Sequence, residues 1–265
     1  EADFMRLRRR IETAEIADAY YADGCRMRDG HDDYHLAADR FRLGADLGDA
    51  KCMFNLAILY RYDHGTWSQD LNQFWHWLRQ ASSQAPVDEW GVPIPGVGKS
   101  YGAIGQAYRD GIGVAEDLDQ AQHWLQKGAE HGCPVAANDL AILVSGRGDL
   151  HAARHWFEES AKGGYARGMV NLAMSLLTHG VGRKEDHERA YSFLRKAADM
   201  GEPGAHLNLA RLLVADCADG VPRLDAAISV LEDGLTIRSD DTDMLCLNAQ
   251  LQWERQERHD LSLTT

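Results

Sequence analysis

Apolar residues recur along this chain at steps of four, and the same phase returns several times. In "DLDQAQHWLQKGAEHG", Asp117 to Gly132, an Asp opens the segment. A small residue follows four places later, a large apolar residue at eight, a small one at twelve and Gly at fifteen. Asp33, Ala37, Phe41, Ala45 and Gly48 repeat that order, as do Asp149, Ala153, Phe157, Ala161 and Gly164. Asp186, Ala190, Leu194, Ala198 and Gly201 repeat it again. Asp70, Phe74, Leu78, Ser82 and Ala85 follow it loosely, and Arg223, Ala227, Leu231 and Leu235 form a last copy without Asp or Gly. Steps of four and eight fall on one face of a helix. The Asp stands where an N-cap carboxylate accepts from free first-turn amides. Gln73 and Gln120, three residues after Asp70 and Asp117, complete the pattern of a capping box. The closing Gly suits a left-handed C′ position, and the recurring small residues let a neighbouring helix approach closely.

A second helix precedes each of these. Ile16-Ala17, Leu56-Ala57, Ile104-Gly105, Leu140-Ala141, Leu172-Ala173 and Leu209-Ala210 mark the same point in six upstream segments. The helix-opening positions 33, 70, 117, 149, 186 and 223 are separated by 37, 47, 32, 37 and 37 residues. A two-helix unit with a period in the thirties is a helical solenoid, in which only stacking buries the apolar faces. The spacing therefore predicts an all-α, right-handed α/α solenoid, forming one repeat domain over 1–265 without a sheet. Its six helix pairs are expected at 14–49, 50–85, 99–133, 134–165, 166–202 and 203–237. A helical extension is expected over 1–13, an irregular loop from Cys25 to Asp32, and an insertion over 86–98 holding Pro86, Pro93 and Pro95. A capping helix over 238–265 would turn Met244, Leu247 and Leu251 inward.

The segment "YGAIGQAYRDGIGVAEDLDQAQHWLQKGAEHG", Tyr101 to Gly132, resembles the Sel-one-like repeat family, relatives of the tetratricopeptide repeat. "NLAMSLLTHGVGRKEDHERAYSFLRKAADMG", Asn171 to Gly201, is the next nearest copy. The fourth repeat departs from the pattern in lacking G-x-G-V, and the sixth has Arg223 in place of Asp. The resemblance implies adaptor or scaffold work, often in bacterial envelopes and secretion, and in some members an immunity role that masks a cognate toxin. With a chain that starts at Glu1 rather than Met, it favours a periplasmic or secreted setting after signal removal over a cytoplasmic one.

Charge narrows the partner. There are 28 basic and 41 acidic residues, a net charge of −13. That disfavours nucleic acid and suits a basic protein, such as a basic effector or toxin. The one basic cluster, Arg6, Arg8, Arg9 and Arg10, reads as a solvated helix face. No run of eighteen apolar residues would span a membrane. Cys25, Cys52, Cys133, Cys217 and Cys246 form no C-x-x-C and no even disulfide set.

Catalytic and cofactor signals do not assemble. "GVGKS", Gly96 to Ser100, looks like the end of a phosphate loop, but the residue five before Gly98 is Pro93 rather than Gly, and no strand precedes it. It reads instead as the entry to a helix, with Ser100 as cap. His31 with His35 and His151 with His155 are four apart, yet no third ligand joins either pair. Asp32-Asp33, Glu158-Glu159 and Asp240-Asp241 fit helix starts and solvated faces. No nucleophile elbow is present. No cofactor or metal is expected.

Recognition residues are sought outside the repeating core. Asn55, Asn171 and Asn208 precede the Leu marker in three repeats and would form a ladder on a concave face, for an extended peptide or for local bonding. Trp77, Trp124 and Trp156 share one register and read as packing between repeats. Trp67, Trp75 and Trp90 are off register, and with Tyr60, Tyr62 and Tyr101 they form the expected partner-binding surface around the insertion. The sequence thus points to non-enzymatic recognition of another protein, as an adaptor or immunity-type protein. The alternatives are an architectural scaffold of an envelope or secretion assembly, or a hydrolase with a concave-face site.

Overall fold

A computed structural model describes residues 2–88, 91–179, 184–215 and 223–264. Thirteen helices and no strand occur among these residues; His64 with Trp67 and Val87 with Pro93 form isolated bridges. The chain divides into two compact units, Glu1–Trp156 and Phe157–Thr265.

In the first unit lie α1 (Ala2–His31), α2 (Tyr34–Asp46), α3 (Ala50–Arg61), α4 (Leu71–Ser82), α5 (Pro95–Asp110), α6 (Leu118–Glu130), α7 (Pro134–Gly146) and the start of α8 (Leu150–Lys162). Here α1, α3, α5 and α7 touch in succession as one inner layer, while α2, α4 and α6 each pack against the inner helices before and after them. The second unit holds the rest of α8, then α9 (Ala166–His179), α10 (Lys184–Asp199), α11 (Pro203–Ala215), α12 (Leu224–Ile237) and α13 (Thr242–Thr264). Each of α9 to α13 packs on the next, and α9 also touches α11.

The period-four pattern is the buried face. Phe41, Leu78, Leu125, Leu194 and Leu231 are fully buried, and so are Ala37, Phe74, Ala121, Ala190 and Ala227 four residues before them. The closest approach between helices falls one residue earlier than the small-residue pattern suggests. A Cβ on Gly128 would lie 2.8 Å from Ala136 Cβ, and one on Gly168 would lie 2.8 Å from Ser160 Cβ. Gly44 meets Cys52 in the same way, and Ala197 and Ala205 are fully buried at the corresponding places. Ala129, by contrast, is half-buried. Small residues are needed at the eleventh place because two helix backbones come together there.

Capping follows the pattern with two changes. Asp33 accepts from Leu36 N, Asp70 from Asn72 N and Gln73 N, Asp117 from Asp119 N and Gln120 N, and Asp149 from Ala152 N. The reverse half of a capping box is replaced: Asp70 N donates to Tyr60 O and Asp117 N to Tyr108 O, both 2.9 Å. The amide that a Gln would serve is already bonded to the preceding helix. Asp186 is not a cap, because α10 begins at Lys184 and places it in the first turn. Gly48, Gly132, Gly164 and Gly201 all take positive φ where helices end.

Several local expectations are corrected. The loop from Cys25 to Asp32 is helical as far as His31, and α1 stops only where Asp32 takes φ 50°. Ser100 does not cap α5. That helix starts at Pro95, which fixes the φ its first position needs, and the buried Ser100 Oγ donates to Gly96 O at 2.8 Å. "GVGKS" therefore lies within the first two turns of α5, where Val97 N and Gly98 N both donate to Ile94 O. Ile16 is 51% exposed although its neighbour Ala17 is buried. On α13, Met244 and Leu251 are buried and Leu247 is half-buried.

Candidate interaction surface

The expected aromatic surface is largely consumed by the fold. Trp75 is only 8% exposed; its Nε1 donates to Ile112 O at 3.1 Å, and its ring edge rests on Gly113, which takes φ 68° and where a Cβ would stand 2.8 Å from Trp75 Nε1. The indole thus seats the G-x-G-V loop of the following repeat, which accounts for its departure from register. Tyr101 is 9% exposed, packed beside Trp124 and His131 with ring centroids 5.8 and 5.7 Å away. Trp67 folds back on its own repeat: Nε1 donates to Leu59 O at 3.0 Å, and its ring meets Tyr60 at 4.9 Å and His35 at 5.4 Å. Tyr60 is half-buried, with its hydroxyl accepting from Arg42 at 2.8 Å. Trp90 lies outside the described residues. Of the six aromatics, Tyr62 alone is broadly exposed among those described, at 47%.

Two of the three asparagines, Asn55 and Asn208, bond within their own helices. Asn55 is 6% exposed; its Nδ2 donates to Lys51 O at 2.8 Å and its Oδ1 accepts from Arg28 at 2.7 Å. Asn208 donates to Gly204 O at 2.9 Å. Both satisfy the carbonyl four residues back in their own helix. Asn171 is half-buried on α9, in the second unit.

A different row of residues is brought together in the first unit, from α2 and the segment after α3 to α5 and α7. The Tyr34 and His64 rings stack at 4.2 Å, and Tyr62 meets His64 at 6.2 Å. The Arg61 guanidinium lies 5.2 Å from the Tyr62 centroid and 3.7 Å from Asp110. Asp110 accepts from Arg109 at 2.7 Å, and Arg109 reaches Asp139 at 3.4 Å. Gln106 completes the bridge, donating to Asp139 at 2.6 Å and accepting from Arg61 at 3.3 Å. An unbroken strip of contacts therefore runs from α2 across α3 and α5 to α7. The hydrogen bond from Arg109, and the nearby charges of Arg109 and Arg61, hold the Asp110 carboxyl below its ordinary range. The bond to Asp110 likewise raises Arg109. Arg61 and Asp139 are nearly covered, whereas Arg109 and Asp110 remain about one-third exposed.

Sequence reasoning missed Arg61, Gln106, Arg109, Asp110 and Asp139. One signal was available: Asp139 precedes Leu140 in the register that Asn55, Asn171 and Asn208 occupy. Chemically the strip offers an aromatic end and a charge-paired end. No group of three His, Cys, Asp or Glu side chains is placed to hold a metal among the described residues. None of the described helices is long and apolar enough to cross a membrane.

The fold is shared with solved repeat proteins. A Sel1 repeat protein from Oxalobacter formigenes is 23% identical with a TM-score of 0.64, over 83% of this chain and 87% of its own. The immunity protein PA5088 from Pseudomonas aeruginosa is 20% identical with a TM-score of 0.58, over 85% and 82%. The immunity protein Pa5087 from the same organism is 18% identical with a TM-score of 0.56, over 84% and 83%. No curated protein matches the chain. The pattern described as Sel1 repeat matches residues 50–86, 100–133, 134–165 and 166–202. Those four segments make up more than half of the sequence and coincide with the helix pairs α3–α4 to α9–α10, so the chain belongs to the Sel1 repeat family.

Proposed function

We propose that this chain is a non-catalytic, immunity-type protein that binds and masks a basic partner protein through this strip of its first unit. The observation that carries the reading is the strip itself. Tyr62 stands exposed at its centre, between the His64–Tyr34 stack and the half-open Arg109–Asp110 pair. Exposed tyrosine flanked by charges that are already oriented is the composition of an interaction hot spot. The supporting groups are fixed by one another across four helices, which lowers the ordering cost of binding. The net charge of −13 would speed encounter with a basic partner. Two of the similar solved structures are immunity proteins, which agrees with this reading.

The test is co-expression of the chain with the product of its neighbouring gene, reading growth and co-purification. Growth rescued by the parent chain, and a complex weakened by about 2 kcal/mol in Tyr62→Ala with an unchanged melting temperature, is the expected result. A neighbouring product that is harmless alone, or a Tyr62→Ala chain that binds as tightly as the parent, would overturn it.

A further inference from the structure

A groove of about 360 Å³ lies between α4 and the loop that follows α5. Asn72, His76, Arg79 and Gln80 line it from α4, and Gly113 and Val114 line it from the loop. Steps of three and four put the α4 residues on one face of that helix. All four can donate hydrogen bonds, and no carboxylate lines the groove. Trp75 lines it too: its indole is held by Ile112 O, and the Arg79 guanidinium lies 5.6 Å from its ring centroid. Stacking on an indole that is itself fixed keeps the guanidinium in place. Arg79 makes no ion pair among the described residues, in a chain where acidic residues outnumber basic ones by 41 to 28.

The next repeat shows what such a place holds. Asp117 opens α6 as Asp70 opens α4, so Asp119 and Gln122 correspond to Asn72 and Trp75. Arg147 follows Leu140 by seven residues, as Gly111 follows Ile104. Arg147 reaches back onto α6, donating to Asp119 at 2.7 Å and to Gln122 at 2.6 Å. There the chain supplies both halves of a charge pair, the acid from the outer helix and the cation from the residue after the inner one. On α4 neither half is in its place: Gly111 brings no side chain, and an amide, Asn72, stands for the acid. A cation stands on the outer helix instead, as Arg79, and its acid is missing from the chain.

We infer that this groove receives a side-chain carboxylate, Glu or Asp, from a partner protein. A guanidinium takes a carboxylate through two parallel N–H bonds, and Asn72, His76 and Gln80 stand beside Arg79 to donate to the remaining lone pairs. A space of about 360 Å³ admits one side chain rather than a helix. None of these residues belongs to the strip, so the inference stands or falls independently of it.

Nuclear magnetic resonance of the full chain, following the Trp75 indole N–H, tests this with two end-blocked tripeptides, Gly-Glu-Gly and Gly-Gln-Gly, and with acetate. The Glu peptide should shift the signal saturably at millimolar concentration, the Gln peptide should not, and acetate should bind more weakly than the Glu peptide. Arg79→Gln should weaken the Glu peptide about tenfold or more. Asn72→Asp, which restores the acid of the next repeat, should do the same by repulsion. Both residues are exposed, so circular dichroism of both variants should match the parent. A Glu peptide that causes no shift, a Gln peptide that binds equally well, or an Arg79→Gln chain that binds like the parent would overturn the inference. Acetate binding as tightly as the Glu peptide would make this a site for small acids and overturn the assignment to a protein side chain.

Discussion

Replacing Gly96 by Ala should destabilise the first unit, although alanine is the better helix former. Gly96 lies in the first turn of α5, and a Cβ there would stand 2.5 Å from Ala50 O and closer still to Ala50 C and Lys51 N. All three atoms belong to the backbone where α3 begins, so no side chain can rotate aside. Ordinary contact begins near 3.4 Å, so α3 and α5 must part by about 1 Å. The intrinsic helix gain is at most about 1 kcal/mol. Overpacking costs about 1–3 kcal/mol, and a backbone-only clash belongs at the upper end. The expected balance is a loss of about 2 kcal/mol, or roughly 4–8 °C in melting temperature for a chain of this size. Gly30→Ala is the matched control: Gly30 lies in α1 with nothing within 4 Å of its missing Cβ. It should gain about 0.4–1 kcal/mol. Far-ultraviolet circular dichroism melts of the three chains decide the matter. A Gly96→Ala protein that melts at or above the parent would refute the close approach of α3 and α5.

Gln106→Leu should cost about 1–3 kcal/mol in urea unfolding, because it strips a donor from Asp139 and an acceptor from Arg61, both nearly covered; a change within error would show the bridge to be idle. Asp110→Asn tests the depressed carboxyl. A folded pKa below the unfolded value of about 3.9 contributes stability that is full above that value and is lost as pH falls through the folded pKa. The gap between parent and Asp110→Asn midpoints should therefore hold from about pH 7 to 5 and close below about pH 4; a gap unchanged in strong acid would contradict the assignment. Under alkylation of the native chain, exposed Cys246 should react while Cys52 and Cys133 do not, since burial both covers these two thiols and pushes their pKa up. Mass spectrometry showing early label on Cys52 would count against that packing.

The fold was legible because its information is periodic. Each helix pair restates one rule, so Phe41, Leu78, Leu125 and Leu194 confirm one another without any structure. The strip was harder to see: Arg61 with Arg109 and Tyr62 with Asp110 do share repeat positions, but the bridging residues Gln106 and Asp139 sit at others. Arg61 and Gln106 share no repeat position, and only the side-by-side packing of α3, α5 and α7 joins them to Asp139. The off-register indoles misled for a related reason. Breaking the period marks a residue as special, but Trp75 is special to the neighbouring loop, through Gly113 and the Ile112 carbonyl, rather than to a partner. Asp186 shows the limit of marker residues: the same letter at the same spacing caps four helices and enters the first turn of a fifth.

The bond from an N-cap amide back to the preceding helix has a bearing on how such proteins diversify. Asp70 N reaches a carbonyl ten residues back and Asp117 N one nine residues back, yet both close on a tyrosine, Tyr60 or Tyr108, with the same 2.9 Å separation. The segment between is spliced out of the geometry, so its length can drift while the two helices it joins stay fixed. Tyr62, His64 and Trp67 all lie within the longer of these two segments. Insertions and deletions near Tyr62 and His64 would remodel what the surface presents, provided Arg61 and Trp67 keep their contacts with the frame. A grafted tip from another repeat protein should be accepted on the same terms, provided its last residue is an Asp whose amide can find that tyrosine carbonyl.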